Sequence, residues 1–381
     1  MEKSCICKAF PIPFNDDRLC DVQKWSLRIL LHCASVSKSV LCSWLGFNKK
    51  GSEMLLYSKN IFSFIGRTTA LLLSILLLIS SLVGCQQEQQ IEETRTLAEK
   101  RIQSDIDLAL WYVKQELNNG SAVCYPYEAD NTEYSKLNST QKQLYDEMLP
   151  KIQSLIPFEY TAEEYGYDVL DNVFIVAAAL CGDHPECELY FDIAEIFDGD
   201  TTTALRSSYF FPSDPDNKSV EDTSTIKEEL KIFDMECNLI VESIPKDFST
   251  YDKYRYLAAL ISIRTAYDYD FTGGNKTATA YGAIEGPVAI CQGYSRAFEY
   301  LCKKADLWCK TVSGASQGTA HAWNLVKLES GTYHIDITWA DLDMNATLDD
   351  GWHRYFMLTQ EQILSDHEID DGTVATGTPL Q

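Results

Sequence analysis

Three side chains in the C-terminal half of the chain have the chemistry of a nucleophile, a general base and an orienting acid. Cys291 opens a segment of helical periodicity, and we predict it at a helix N-terminus, where free N–H groups and the helix dipole favour a thiolate. His321 follows thirty residues later, and Asp336 follows fifteen residues after that, in an alternating apolar run typical of a buried strand. Together they are the three parts that thiol acyl transfer requires.

The same stretch predicts the elements that position these residues. One face of the helix after Cys291 is formed by Tyr294, Ala297, Phe298, Leu301 and Cys302. Two strand-like runs, starting at His321 and at Tyr333, predict a β-hairpin. The nucleophile is therefore expected on a helix, and the base and the acid on neighbouring strands.

The register of this hairpin is the weak point of the prediction. A tight turn at Ser330-Gly331 pairs Leu325 with Asp336 and leaves His321 four residues along the same face, about 13 Å away at the usual rise of a strand. A base and its orienting acid need direct contact. We therefore expect a β-bulge, or a turn centred nearer Leu328-Glu329.

Three short motifs give this region a family resemblance. They are residues 286–294 (GPVAICQGY), 321–324 (HAWN) and 333–339 (YHIDITW). In this order and at this spacing, they resemble the motifs of the transglutaminase-like superfamily, a branch of the papain-like thiol enzymes. The first motif departs from the family pattern Gly-x-Ala-x-Cys-x-Gly-Tyr. The resemblance covers about residues 225–365.

The resemblance implies a fold class, an activity and a catalytic set. The fold class is α+β, with a papain/transglutaminase-like core in which the Cys helix packs on an antiparallel sheet, preceded by a mainly helical domain. Cys291, His321 and Asp336 would form a triad acting on protein or peptide amides, with no cofactor. Hydrolysis, deamidation and cross-linking stay open, since all share an acyl-enzyme. The alternative is a non-catalytic surface binding or assembly protein that keeps the fold.

Further residues are expected around this triad. An oxyanion needs the backbone N–H of Cys291 and a second donor, which family members draw from an upstream side chain. Tyr281 is the nearest candidate, although an ordinary core aromatic is an equally good interpretation. Trp323 and Trp339 are expected to wall the cleft. Residues 341–349 imitate a calcium loop but lack its Gly and Glu, so we predict an acidic loop and no metal site.

The N-terminal segment has the features of an export signal. Residues 68–83 are apolar and nearly uncharged, and they follow Lys59 and Arg67. They end in Leu-Val-Gly-Cys85, which resembles the lipobox of bacterial lipoproteins, where the Cys is acylated. We predict a lipoprotein signal peptide over residues 54–85, with an uncleaved signal anchor as the alternative. Residues 1–53 are interpreted as a doubtful leader or an over-extended start.

These features predict where the protein acts and with what. It is expected to be exported and lipid-anchored to the outer face of a bacterial cell membrane, with a protein or peptide substrate, cell-wall peptide being one option. The whole chain has a net charge of −24, and the part after Cys85 has −29. A surface this acidic excludes nucleic acid as a partner, because phosphate binding needs clustered cations.

Two regions are predicted beyond the signal. Residues 86–220 form a mainly helical region with a small β-hairpin, and residues 221–381 form the transglutaminase-like domain. Helices are expected over 93–118, from a cap at Ser139 or Thr140, and over 170–180, 223–243 and 250–267. The region after Cys85 holds seven cysteines, an odd number that leaves at least one thiol unpaired.

Overall fold

The computed structural model describes residues 89, 91–118, 120–125, 132–286, 288–341 and 354–380. The chain divides into two compact units, residues 1–92 and 93–381, and the fold below is that of the second unit. Within the described residues, no helix is both long enough and apolar enough to cross a membrane. The predicted leader and signal peptide, including Cys85, lie outside the described residues.

Helices dominate the first part of this unit. They are α1 (91–114), α2 (Thr132–Lys136), α3 (Ser139–Gln153), α4 (Ala162–Tyr165) and α5 (Tyr167–Asp183), followed by a 3-10 helix, Pro185–Leu189. The predicted helices are all present. The cap of α3 is Asn138 rather than Ser139 or Thr140, since the Asn138 side chain accepts the N–H groups of Thr140 and Gln141.

A small antiparallel sheet accompanies these helices. Its strands are β1 (Glu159–Thr161), β2 (Phe191–Asp198) and β3 (Thr201–Tyr209), in the order β1-β3-β2. The β2–β3 hairpin was expected, whereas β1 was missed because three residues carry too little alternation to be recognised.

Two long helices connect the helical part of the chain to the elements that follow it. Helix α6 spans Ser224–Glu242 and helix α7 spans Thr250–Arg264. The Ser249 side chain caps α7 by accepting the N–H of Asp252. Helix α7 is buried on nearly every side, including Tyr254, Tyr256 and Leu257, so it forms the centre of the core.

The remaining elements form the layer that carries the predicted site. After β4 (Ala266–Tyr267) and a 3-10 helix (Asn275–Ala278) come α8 (Ala280–Ile284), β5 (Val288–Ala289), α9 (Cys291–Lys304), β6 (Cys309–Ser316), β7 (Thr319–Leu328), β8 (Gly331–Ile335), α10 (Ile337–Ala340), α11 (Gln360–Ile363) and β9 (His367–Ile369). The antiparallel sheet has the order β8-β7-β6-β9, and α9 packs on β6 and β7. The fold class is α+β, as predicted.

Ion pairs with little exposure join the helical part to this layer. Arg296 of α9 contacts Glu188 at 2.7 Å and Glu299 at 3.0 Å. Lys303 contacts Glu186 at 2.7 Å. All of these side chains are at most 24% exposed, so their charges depend on one another for stabilisation.

Candidate active site

Helix α9 places Cys291 at its first turn. No side chain caps this helix, so its N-terminal N–H groups stay available around the thiol. Gly293 permits a close backbone approach, because a Cβ atom there would lie 2.2 Å from the Thr277 carbonyl oxygen. Tyr294 anchors the turn by donating its hydroxyl to Thr265 O at 2.9 Å and to Asp341 Oδ2 at 2.7 Å.

Strand β7 brings His321 to the thiol. The imidazole hydrogen-bonds Cys291, and its Nε2 atom lies 2.8 Å from Asp336 Oδ2. Since Asp336 occupies Nε2, Nδ1 is the nitrogen left to serve the sulfur. The structure thus joins the three predicted residues in one chain of hydrogen bonds.

The β7–β8 hairpin brings His321 and Asp336 together without a β-bulge in its pairing. Leu328 pairs with Gly331 and Leu325 with His334, so the turn residues are Glu329-Ser330. This turn lies one residue before the predicted Ser330-Gly331 turn and one residue after the alternative. Extending the pairing by one residue places Asp336 diagonally across from His321, within reach of direct contact.

Asp336 lies at the end of β8 and not within a longer strand. The predicted strand 333–339 stops at Ile335, and Asp336 caps α10 by accepting the Trp339 N–H at Oδ1, 3.2 Å away. The carboxylate is completely buried. One oxygen is therefore fixed by a helix cap, which leaves the other for imidazole.

The charges of the three groups reinforce each other. Burial raises the pKa of the Cys291 thiol, but hydrogen bonds from His321 and from the Ala322 and Gln292 backbone outweigh it and bring the pKa below the ordinary value. Burial also opposes a charged His321, yet Asp336 and Cys291 raise the pKa of this imidazole to about 10. A thiolate–imidazolium pair is the state these shifts favour.

Tyrosines upstream of Cys291 are placed differently from the prediction. Tyr281 hydrogen-bonds Glu229 and packs against the Phe233 ring, and none of its described contacts involves Cys291. Tyr267 contacts Cys291 instead, through hydrogen bonds to its backbone and its side chain. The parallel pairing of β4 with β5 brings Tyr267 there. Two strands of two residues each have no sequence signal, which is why Tyr267 was missed.

The two predicted cleft tryptophans have different positions. Trp323 is 1% exposed and stacks on the His321 ring, with centroids 5.9 Å apart. It therefore supports the imidazole from within the core and does not wall a cleft. Trp339 is half-buried and meets His321 edge-on at 6.4 Å.

A second histidine, His367, also contacts Asp336. His367 lies on β9, and its side chain is completely buried. Its Nε2 atom is 3.0 Å from Asp336 Oδ2, and its Nδ1 atom is 2.6 Å from Asp366 Oδ1. A strand of three residues gave too short a pattern to predict this position.

The His321, Asp336 and His367 side chains place nitrogen and oxygen atoms within 4.8 Å of one another. Both imidazoles contact the same carboxylate oxygen at hydrogen-bond distance. Hydrogen bonding accounts for the cluster, so its geometry needs no ion. Of the acidic loop predicted over 341–349, only Asp341 is among the described residues.

The cysteines of the described region are all free thiols: Cys124, Cys181, Cys187, Cys237, Cys291, Cys302 and Cys309. Cys302 and Cys309 are buried, in keeping with core positions. Cys291 and Cys181 are both partly exposed, but burial raises the pKa of Cys181. A nearby imidazole thus distinguishes Cys291 from a thiol of similar exposure.

Comparison with known proteins supports the family resemblance. Residues 241–344 match the family model described as "Transglutaminase-like superfamily". Kyphoscoliosis peptidase from Mus musculus is 30% identical over 97 residues, which cover 21% of this chain and 15% of that protein. The Homo sapiens protein is 38% identical over 61 residues, covering 13% and 9%. The chain thus spans only a small part of the length of these relatives.

A solved structure titled "Crystal structure of a TGase" is 19% identical, covers 53% of this chain and 48% of its own, and has a TM-score of 0.28. The matched residues 241–344 contain Cys291, His321 and Asp336 together with the helix and strands that carry them. The chain therefore contains a transglutaminase-like domain over residues 241–344.

Proposed function

We propose that this protein is a thiol acyl-transfer enzyme that acts on protein or peptide amides through Cys291, His321 and Asp336. The observation that carries the proposal is the hydrogen-bonded chain from the thiol through the imidazole to a completely buried carboxylate. A structural cysteine needs no such partner, whereas an activated nucleophile does.

In the proposed reaction, the Cys291 thiolate attacks the amide carbonyl carbon and forms a C–S bond. His321 gives its proton to the departing nitrogen as the C–N bond breaks, which leaves a thioester. Water or an amine then attacks the thioester and loses a proton to His321. The thiolate departs with the electrons of the C–S bond, and the enzyme is regenerated.

Two groups near the sulfur are suited to the charge that develops on the carbonyl oxygen. The Cys291 backbone N–H lies at a helix N-terminus, and the Tyr267 hydroxyl contacts both the backbone and the side chain of the same residue. In this proposal Tyr267, and not the predicted Tyr281, is therefore the second hydrogen-bond donor to the carbonyl oxygen.

The amide class of the substrate rests on the thiol chemistry and on the similarity to proteins named as peptidases. Hydrolysis, deamidation and cross-linking differ only in the leaving group and in the nucleophile that reaches the thioester. Surface anchoring through Cys85 is part of the proposal and is supported by the lipobox-like sequence. If Cys85 is acylated, Cys85→Ala should release the protein from the membrane fraction or block its processing.

The proposed activation of Cys291 can be tested by alkylation with iodoacetamide across pH. The lowered pKa of Cys291 keeps its thiolate present at neutral pH, whereas Cys181, with a raised pKa, stays protonated. Mass spectrometry of the full chain should find Cys291 labelled much faster than Cys181 at pH 7. The preference should persist at pH 10, because Cys291 is already a thiolate and the raised pKa of Cys181 keeps that thiol protonated there.

A peptide amide added to the protein should also leave a trapped thioester on Cys291 after acid quenching, and the Cys181→Ala variant should behave like the parent. Equal labelling of both thiols at pH 7, with no thioester, would favour the binding-protein alternative.

A further inference from the structure

His367 is held between two carboxylates inside the protein. Its Nε2 atom lies 3.0 Å from Asp336 Oδ2, and its Nδ1 atom lies 2.6 Å from Asp366 Oδ1. A neutral imidazole has a single N–H, and an ionised carboxylate can only accept a hydrogen bond. Both contacts are therefore satisfied together only when His367 carries a proton on each nitrogen.

The outer carboxylate is itself fixed in place. The Tyr355 hydroxyl donates to Asp366 Oδ2 at 2.8 Å, while Asp366 stays 34% exposed. Water thus reaches Asp366 but not His367, whose side chain has no exposed surface. An ionised Asp366 costs little solvation, and it is oriented to stabilise a buried cation.

No other described group around His367 can replace Asp366 as the hydrogen-bond partner of its Nδ1 atom. Trp323 meets the ring edge-on at 4.9 Å, and the Tyr355 ring lies 6.1 Å away. His334 accepts the Trp323 indole N–H at Nδ1, 3.0 Å away, and its second nitrogen contacts Gln360, so it is neutral. Among the described residues, the other charged groups in contact with His367 are Asp336 and the His321 ring, whose centroid is 5.4 Å from that of His367.

Asp336 Oδ2 is consequently shared by two imidazoles. We propose that His367, held as a buried imidazolium by Asp366, is a positioning residue that fixes Asp336 and weakens its hold on the His321 proton. This inference rests on the proposed function for its consequence. A second cation next to Asp336 makes His321 a stronger acid, which helps it to protonate the leaving nitrogen.

The protonation state of His367 can be read directly by NMR. The full chain, labelled with ¹⁵N in its histidine rings, gives signals that distinguish singly from doubly protonated imidazole, and His→Gln variants assign them. We expect both His367 nitrogens to carry a proton in the folded protein at neutral pH. A His367 ring with a single proton at neutral pH would overturn the inference.

Two variants test the effect on His321. Asp366→Asn removes the exposed outer charge, and His367→Gln keeps an N–H donor near Asp336 without the cation. In each, the proton-binding constant of His321 should rise about tenfold, since two charges at this separation interact strongly even at a moderate dielectric. Titration of the His321 ring signals in the parent and in both variants measures this change.

Glu368→Gln is the matched control. Glu368 lies next to His367 on β9 and is exposed. Its substitution by Gln removes one unit of negative charge, as Asp366→Asn does. It should leave the His321 signals unchanged. An equal proton-binding constant of His321 in the parent, Asp366→Asn and His367→Gln would overturn the inference. Ring shifts in the parent that disappear when EDTA is added and return with Zn²⁺ would also overturn it.

The outcome is separable from that of the proposed function, because these signals need no substrate and no turnover. If Cys291 forms no thioester while His367 is doubly protonated, the function fails and the buried imidazolium stands. If thioester forms while His367 is neutral, the reverse holds.

Discussion

The helical part of the molecule and the first turn of α9 both hold partly or fully buried thiols, and the pKa values of these thiols are shifted in opposite directions. Burial raises the pKa of Cys181 and Cys187 on the helical side. Cys291 is also penalised by burial, but its hydrogen bond to His321 reverses the direction. Burial alone therefore makes a thiol inert, and a partner of opposite charge makes it reactive.

The positive charge that acts on Cys181 is already engaged. Arg296 acts on Cys181 in the direction of a lower pKa, but it is paired with Glu188, whose charge acts more strongly in the other direction. In the layer that carries Cys291, Asp336 acts through His321 and favours the cation that faces the thiol. The two thiol environments thus differ in one respect: at Cys291 an acid, an imidazole and the thiol are hydrogen-bonded in that order.

The largest expected effect comes from removing the reactive atom. Cys291→Ser should reduce acyl transfer about 10⁶-fold, because an imidazole that suffices for a thiol cannot readily deprotonate a hydroxyl of far higher pKa. Turnover of a peptide amide is the measurement. Cys181→Ser, at a thiol of similar exposure, should retain the parent rate, and equal losses in the two variants would remove the distinction between the regions.

A smaller effect is expected from neutralising the acid. Asp336→Asn keeps a hydrogen-bonding shape but removes the charge that raises the pKa of His321, so activity should fall about 10⁴-fold and stay measurable. His321→Ala should lose more, since it removes the proton acceptor itself. Rates for the two variants should be compared with their Cys291 alkylation profiles, and unchanged profiles in both would uncouple these residues from the thiol.

The smallest of the three effects concerns the connection between the regions. Arg296→Met leaves Glu188 and Glu299 without their cation in a poorly exposed site, so the free energy of unfolding should fall by about 3 kcal/mol. Urea denaturation followed by circular dichroism measures it. Lys218→Met, which breaks the exposed pair with Asp216, should change stability little. Equal losses would make the Arg296 pairs no more important than a surface contact.

The sequence predicted the layer that carries Cys291, His321 and Asp336 better than its surroundings. Cys291, His321 and Asp336 were recognisable because a helix and a hairpin have long periodic patterns that place side chains on known faces. The position of the hairpin turn was off by one residue, since Glu329, Ser330 and Gly331 all suit a tight turn. Register there depends on cross-strand packing, which one strand's sequence does not contain.

The residues that sequence reasoning missed share a physical cause. Tyr267 and His367 both lie on strands of two or three residues, and their partners are distant in sequence. Contacts of this kind depend on how elements pack, and local periodicity carries no information about them. Tyr281 was a plausible donor by its proximity in sequence to Cys291, but helix α8 directs it towards Phe233.

The position of Cys291 depends on the absence of a side chain at Gly293. The first turn of α9 rests against the Thr277 carbonyl so closely that a methyl group would stand 2.2 Å from the oxygen. The depth at which the sulfur sits is consequently set by the contact of two main chains. Alanine at this position would keep all three reacting side chains, yet it would push the helix end outward and move the nucleophile away from its base. The proposed acyl transfer tolerates displacements of less than about 1 Å. The hydrogen atom of Gly293, in place of a methyl group, therefore keeps the Cys291 sulfur and the His321 imidazole in range.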